Sequence, residues 1–300
     1  MFSFKTVDSQ VGWRDYLALT KFKVVLVMLL TATVGMCLAS HNAPNPFLLL
    51  VANLGIGLAA ASAAAVNHVI DRRIDERMAR TRQRPLPAGK LEPHQALTFA
   101  AIIGTAGIVI LALFVNPLTA WLTLASLIGY AFIYTAYLKR ATPQNIVIGG
   151  VAGAAPPLLG WTAVTGVMEA DGLLLMLIIF AWTPPHFWAL CIARKEDYIK
   201  AGVPMLPVTH GERFCRLQIM LYTLLMIATT ALPFLTGMSG SIYLIGVSAL
   251  NLRFLWWAWI VLKGDDRQQP MALFKYSIAY IMWLFAVLLV DHYLMYQTIF

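Results

Sequence analysis

Nine apolar runs, each about 17–25 residues long, take up most of this chain. They fall at roughly 22–40, 47–67, 96–115, 118–138, 144–165, 172–191, 216–236, 241–262 and 274–296. A run of that length crosses the hydrocarbon core of a bilayer as a helix, because in lipid each segment must satisfy its own backbone hydrogen bonds. The expected fold is therefore all-α: a polytopic membrane protein, a bundle of nine transmembrane helices around a central cavity. The runs tile residues 1–300 as a single integral-membrane domain with no room for a soluble one. Charged residues make up only 12% of the chain, against about a quarter in soluble domains. Lys21 and Lys23 ahead of an apolar run imitate a signal peptide. That run, Val24 to Ser40, is longer than a signal core and more spans follow it, so it reads as the first transmembrane helix.

The net charge of +8 does not point to nucleic acid, because the cations sit in short loops between spans. The N-terminal segment holds Lys5, Arg14, Lys21 and Lys23; the second loop Arg72, Arg73, Arg77, Arg80, Arg82, Arg84 and Lys90. The fourth holds Lys139 and Arg140, the sixth Arg194, Lys195, Lys200 and Arg213, and the eighth Lys263 and Arg267. The odd loops (His41–Pro46, Asn116–Pro117, Gly166–Asp171, Gly237–Gly240) hold no Lys or Arg. The positive-inside rule then puts the N-terminus in the cytoplasm and the C-terminus on the opposite side. The two longest loops, the second and sixth, open to the cytoplasm and carry acids, so the active face is expected there. Three scattered cysteines imply no disulfide framework and no metal motif.

Within the second loop one pattern carries chemistry. Asn67, Asp71 and Asp75 recur every fourth residue after the uncharged run Val51–Val66. If the helix continues, they share one face, roughly 5–6 Å apart at Cβ. Oxygen ligands so arranged suit Mg²⁺, which is held by one or two carboxylates with waters and phosphates completing its shell. The basic run Arg77 to Lys90 would suit those phosphates. With Arg80 and Arg84 beside the ladder, the site could stabilise diphosphate as a leaving group. A solvated helix end is the plain alternative, but the charges stand at the mouth of an apolar segment.

Other stretches are less specific. Gln144-Asn145 to Pro157 is rich in small residues, with Gly149 and Gly153 spaced for close helix packing or for a flat ligand. Pro184 and Pro185 are expected to break the sixth span, and His186 follows them among aromatics; an ionisable group there is a candidate for ligand or proton-transfer work. The sixth loop offers Asp197 to a metal and Lys195 or Lys200 to phosphate. Tyr134, Lys139 and Arg140 end the fourth span on the same face. Arg253 lies inside a span, as a functional group or a snorkelling one. Trp256, Trp257 and Trp259 read as an interfacial anchor.

Taken together, the NxxxDxxxD pattern between the second and third of nine spans and an acidic loop between the sixth and seventh resemble the UbiA-type intramembrane prenyltransferases. Within that family, the runs Met78–Pro85, Tyr134–Arg140, Gln144–Trp161, Pro185-His186-Phe187-Trp188-Ala189-Leu190 and Asp197–Val208 are similar to the branch that farnesylates protohaem IX. The likeness runs from about Thr20 to Val208. Thr20-Lys21-Phe22-Lys23 stands where the family commonly has Thr-Lys-Pro-Arg, a departure expected to change nothing functional.

The resemblance implies a membrane enzyme of the bacterial inner membrane. It would use farnesyl diphosphate, haem b and Mg²⁺ to make haem O, with Asn67, Asp71, Asp75 and Asp197 as metal ligands. Arg80, Arg84, Lys139, Arg140, Lys195 and Lys200 would hold diphosphate. Tyr134, Asn145, Gly149, Trp188 and Tyr198 would line the substrate cavity, and His186 would contact haem. Membrane lipid, a downstream haem A synthase and oxidase assembly proteins are the implied partners. The competing readings are a prenyltransferase for an aromatic or quinone precursor, an anionic-lipid transporter, and a non-catalytic oxidase assembly factor.

Overall fold

The computed structural model describes residues 11–40, 42–264, 266 and 268–299, the side chains of 295–299 excepted. Lys5, His41 and Arg267 lie outside the described residues. Two helices, α1 (Trp13–Leu19) and α2 (Phe22–Leu38), meet at Lys21 with a bend of 54°. A long helix follows, α3 (Pro46–Ile70), started by Pro46 in the first turn and by the Asn45 side chain, which accepts from the Phe47 amide. The short α4 (Arg72–Asp75) continues it. Next come α5 (Pro93–Phe114) and α6 (Pro117–Ile128), the latter running into a π-helical stretch, Gly129–Leu138, and the single turn α7 (Lys139–Ala141). The fifth span is the pair α8 (Asn145–Ala154) and α9 (Pro156–Thr165). The remainder is α10 (Ala170–Ala193), α11 (Lys195–Ala201), α12 (Leu206–Thr209), α13 (Glu212–Leu235), α14 (Ser241–Lys263) and α15 (Gln268–Ile299).

Among the described residues there is no strand. Eight helical spans are long and apolar enough to cross a membrane, and the bent α1–α2 pair would make nine. Large apolar side chains such as Leu113, Ile245 and Leu252 stand on the outside, where in water they would be a liability and in a bilayer they meet lipid. The molecule is thus an all-α integral membrane protein.

Small residues let the helices approach. A Cβ on Gly160 would strike the Ala32 carbonyl, and one on Gly35 the Pro157 carbonyl, so α2 and α9 cross with their backbones in contact. The largest apolar cluster joins α10, α13, α14 and α15 around Trp188, Tyr243, Phe254, Tyr280 and Phe285. At the end where α3 stops, Leu19, Leu86, Leu91, Ala96 and Ala100 form a smaller core that seats α1 and the basic loop. Burying each of those leucines stabilises that lid by roughly 1.5–3 kcal/mol.

Two acids at the opposite end are consumed in the fold. Fully buried Asp291 on α15 accepts from the Gly240 and Tyr243 amides at 2.6 and 2.9 Å, capping the start of α14. Glu169 accepts from Trp161 Nε1 at 2.7 Å.

One expectation fails. The helix runs unbroken through Pro184 and Pro185, from Ala170 to Ala193. Each proline lacks one amide donor, but ending the helix in lipid would strand more backbone groups than that. Both rings are buried, so the loosened turn faces protein. The interruption falls instead in the fifth span, at Ala155, where Pro156 starts a new helix.

Candidate active site

Asn67, Asp71 and Asp75 are 3%, 2% and 4% exposed, so the ladder is not a solvated helix end. α3 formally stops at Ile70, yet the i to i−4 bonds carry on: the Asp71 amide donates to the Asn67 carbonyl at 2.9 Å and the Asp75 amide to the Asp71 carbonyl at 2.8 Å. The three side chains therefore keep a common face. Asn67 Nδ2 donates to Asp71 Oδ2 at 2.9 Å, and to Thr135 Oγ1 at 3.1 Å.

Three cations from three separate segments close on this face. Lys21 Nζ donates to Asn67 Oδ1 at 2.7 Å, Lys139 Nζ to Asp71 Oδ2 at 2.6 Å, and Arg84 to Asp75 Oδ2 at 2.7 Å. Buried carboxylates need such partners, since a lone buried charge costs several kcal/mol. Three cations against two carboxylates leave the pocket positive, and so receptive to an added anion.

Local structure explains each arrival. Lys21 is the single non-glycine with positive φ (50°) among the described residues, which turns its side chain inward at the α1–α2 bend. Its amine also sits 3.4 Å from the Tyr130 hydroxyl. The π-helical register spaces Tyr130, Thr135 and Lys139 at four to five residues, so all three face the ladder; a π-segment of this kind is frequent at functional sites. Arg84 is delivered by the turns after α4, where the Thr81 hydroxyl ties back to the Asp75 carbonyl at 3.0 Å.

The donor set suits a hard divalent cation. Among the described residues Asp71 Oδ1 is buried with no partner, and Asn67 Oδ1, Asp71 Oδ2 and Asp75 Oδ2 are held by exchangeable side-chain cations. Among the described residues no three His, Cys, Asp or Glu side chains group together, since the ladder's third member is an amide. Neither ring nitrogen of His68, buried beside Asn67, has a partner.

The other expected residues are placed as follows. Arg140 is exposed and donates to the Ile70 carbonyl at 3.1 Å, next to the ladder. Arg80 is exposed and lies near buried Tyr198; burial and the Cys191 thiol push that phenol up, against the pull of Arg80. Ile74 and Met78 of the second loop share one buried apolar cluster with Tyr198, Val203 and Met205 of the sixth. Asp197 lines a small cleft of about 110 Å³ with Lys195, Glu196 and Glu212. Lys195 there pairs with Glu212 at 3.2 Å, and Lys200 is exposed. No described hydrogen bond or ion pair joins Asp197 to the ladder. A larger cleft, about 640 Å³, opens between Arg194, Trp257 and Lys275.

Deeper in, a Cβ on Gly149 would fall on the Tyr134 ring, so that side chain fills the space the glycine leaves. Asn145 is fully buried and donates to the Thr142 carbonyl at 2.6 Å. Trp188 stands in the core, edge-on to Tyr222 at 5.1 Å. His186 is stacked between Trp182 at 4.2 Å and Phe274 at 4.6 Å, its Nδ1 2.6 Å from Ser277 Oγ. Sequence reasoning missed Lys21, Tyr130, Thr135 and Ser277. Lys21 has a signal, its place in the Thr20–Lys23 stretch, but a cation before a span also reads as a loop charge.

A bundle of apolar helices with a buried polar ladder and its cations gathered at one end defines an integral membrane protein. The sequence model of the UbiA prenyltransferase family matches residues 28–288, and the chain belongs to that family of enzymes. It is 62% identical over 288 residues to a protoheme IX farnesyltransferase of Marinobacter nauticus, covering 96% of this chain and 95% of the relative. It is 60% identical over 286 residues to protoheme IX farnesyltransferase 1 of Pseudomonas putida, covering 95% and 96%. Among solved structures, a UbiA homologue from Archaeoglobus fulgidus bound to DMAPP and Mg²⁺ shares the fold at a TM-score of 0.66 and 18% identity, over 91% of this chain and 99% of that one. A digeranylgeranylglyceryl phosphate synthase structure does so at a TM-score of 0.78 and 20% identity, over 93% and 98%.

Proposed function

We propose that this chain transfers the farnesyl group of farnesyl diphosphate to a vinyl group of protohaem IX (haem b), with addition of water, giving haem O and diphosphate for terminal oxidases. The observation that carries this reading is the buried Asn67–Asp71–Asp75 ladder, neutralised by Lys21, Lys139 and Arg84, in a chain 62% identical to a protoheme IX farnesyltransferase.

In this reading the ladder oxygens, Asp71 Oδ1 first, would hold Mg²⁺, and Asp197 would hold a second ion. Bound there, Mg²⁺ neutralises the diphosphate and makes it a better leaving group. Lys21, Lys139 and Arg84 exchange carboxylate oxygens for phosphate oxygens, which keeps their charge-assisted hydrogen bonds. Arg80, Arg140, Lys195 and Lys200 add cations at the mouth. The farnesyl tail runs inward past Tyr134, whose ring face stabilises the allylic cation. The closed apolar surroundings keep water from that cation until the vinyl group reacts. His186 contacts the haem. The ladder end faces the cytoplasm of a bacterial inner membrane, supported by odd loops that lack Lys and Arg.

The test is direct. Purified protein is incubated with farnesyl diphosphate, Mg²⁺ and a choice of haem b or a phenolic acceptor, and products are read by mass spectrometry. A farnesylated, hydrated haem is expected, lost when the metal is chelated. A prenylated phenol with haem left unchanged would sink the proposal.

A further inference from the structure

The His186 ring is held on both faces and at one edge. Trp182, one turn earlier on α10, stacks on it at 4.2 Å and 19°; Phe274 of α15 stacks on the other face at 4.6 Å and 26°. Trp182 Nε1 donates to the Ser277 carbonyl at 2.9 Å, fixing α15 against α10 at this level. The ring can neither tilt nor flip without breaking this sandwich. Such a clamp exceeds what a core histidine needs for packing.

The protons can be assigned from chemistry. A serine hydroxyl has one proton. Ser277 Oγ lies 2.7 Å from the Phe274 carbonyl oxygen, which can only accept, and 2.6 Å from His186 Nδ1. With its proton on the carbonyl, Ser277 Oγ accepts from Nδ1. The tautomer in which both short contacts are hydrogen bonds therefore carries the ring hydrogen on Nδ1 and the lone pair on Nε2. Nε2 has no hydrogen-bond partner among the described residues, and the ring is only half-buried. A neutral imidazole with an unpartnered Nε2 and a fixed plane is the form that binds a metal centre, and a hydrogen bond at the other nitrogen raises its basicity.

The position fits an acceptor site rather than the diphosphate site. His186 lies eight residues before Arg194 at the end of α10, or about 12 Å of helix rise, so it sits well inside the span.

We infer that Ser277 is a positioning residue: it fixes His186 in the Nδ1–H tautomer so that Nε2 ligates the iron of the porphyrin substrate and holds the macrocycle during reaction. This rests on the haem-farnesylation reading above and names a residue and an atom for it.

Iron and metal-free porphyrin separate ligation from packing. Ferric protohaem and protoporphyrin IX are each titrated into the full chain in detergent, for wild type, Ser277→Ala, Ser277→Thr and His186→Ala. The expected result is roughly 10- to 100-fold weaker protohaem binding for Ser277→Ala, the size seen when a ligand's supporting hydrogen bond is lost. Protoporphyrin binding should be unchanged, and Ser277→Thr should restore the wild-type value and its nitrogen-ligated haem spectrum. Equal weakening of both porphyrins by Ser277→Ala would make Ser277 merely structural and overturn the inference. So would an unaltered Ser277→Ala alongside a His186→Ala that loses the preference for iron, which leaves the haem reading intact. If His186→Ala kept that preference and spectrum, His186 would not be the ligand at all. Binding of neither porphyrin by the wild type would defeat the haem reading itself.

Discussion

Lys21 carries an unusual load for a residue at the edge of an apolar helix. Its backbone is in the left-handed region and its amine reaches Asn67 and Tyr130. Lys23, two residues on, is exposed and has the same charge. If Lys21 turns from the ladder to phosphate on binding, its loss removes a hydrogen bond to a charged group, about 1.5–3 kcal/mol. Lys21→Met should therefore raise the KM for farnesyl diphosphate by roughly 10- to 100-fold, with Lys23→Met near wild type in the same steady-state assay. Equal effects would reduce Lys21 to a topology charge. At this scale the sequence was legible where polar groups interrupt an apolar run, as at Asn67–Asp75. It was not legible for Lys21, because a cation before a span already has an explanation in membrane orientation. Thr135 and Ser277 were invisible for a related reason: a hydroxyl in a span can bond its own helix, and only the fold shows what else it meets.

Among the elements, length and hydropathy located the spans, but not how each helix is wound. The π-register of Gly129–Leu138 depends on what Tyr130, Thr135 and Lys139 meet across the bundle, and hydrophobic periodicity does not register it. Prolines misled in both directions: α10 passes through Pro184 and Pro185, while the fifth span is interrupted before Pro156. Pro156 has a helix start to occupy, where its missing amide costs nothing. The glycines divide as clearly. Gly160 lies against the Ala32 carbonyl, whereas nothing comes within 4 Å of a Cβ on Gly153. Gly160→Ala should destabilise the protein by about 1–3 kcal/mol, as overpacking does, and Gly153→Ala should leave the thermal midpoint in detergent unchanged or slightly higher, since alanine suits a helix better than glycine. A similar midpoint for both would mean that α2 and α9 do not depend on backbone contact.

For the whole molecule, the distribution of acids separates structure from chemistry. Away from the loop-rich end, Asp291 and Glu169 are spent on a helix cap and an indole. At the loop-rich end, Asp71 keeps an unpartnered oxygen within a cluster of cations. Inside the span, His186 Nε2 has no hydrogen-bond partner among the described residues. In the proposed reaction two substrates take two places: a prenyl diphosphate the ladder and a haem His186. Binding of each substrate to single variants tests that division most directly. Farnesyl diphosphate with Mg²⁺, and ferric protohaem, are titrated separately into Asp71→Asn and His186→Ala. The account predicts a crossed pattern, in which Asp71→Asn loses farnesyl diphosphate and keeps haem while His186→Ala does the reverse. Loss of both substrates in both variants, or of neither, would contradict it.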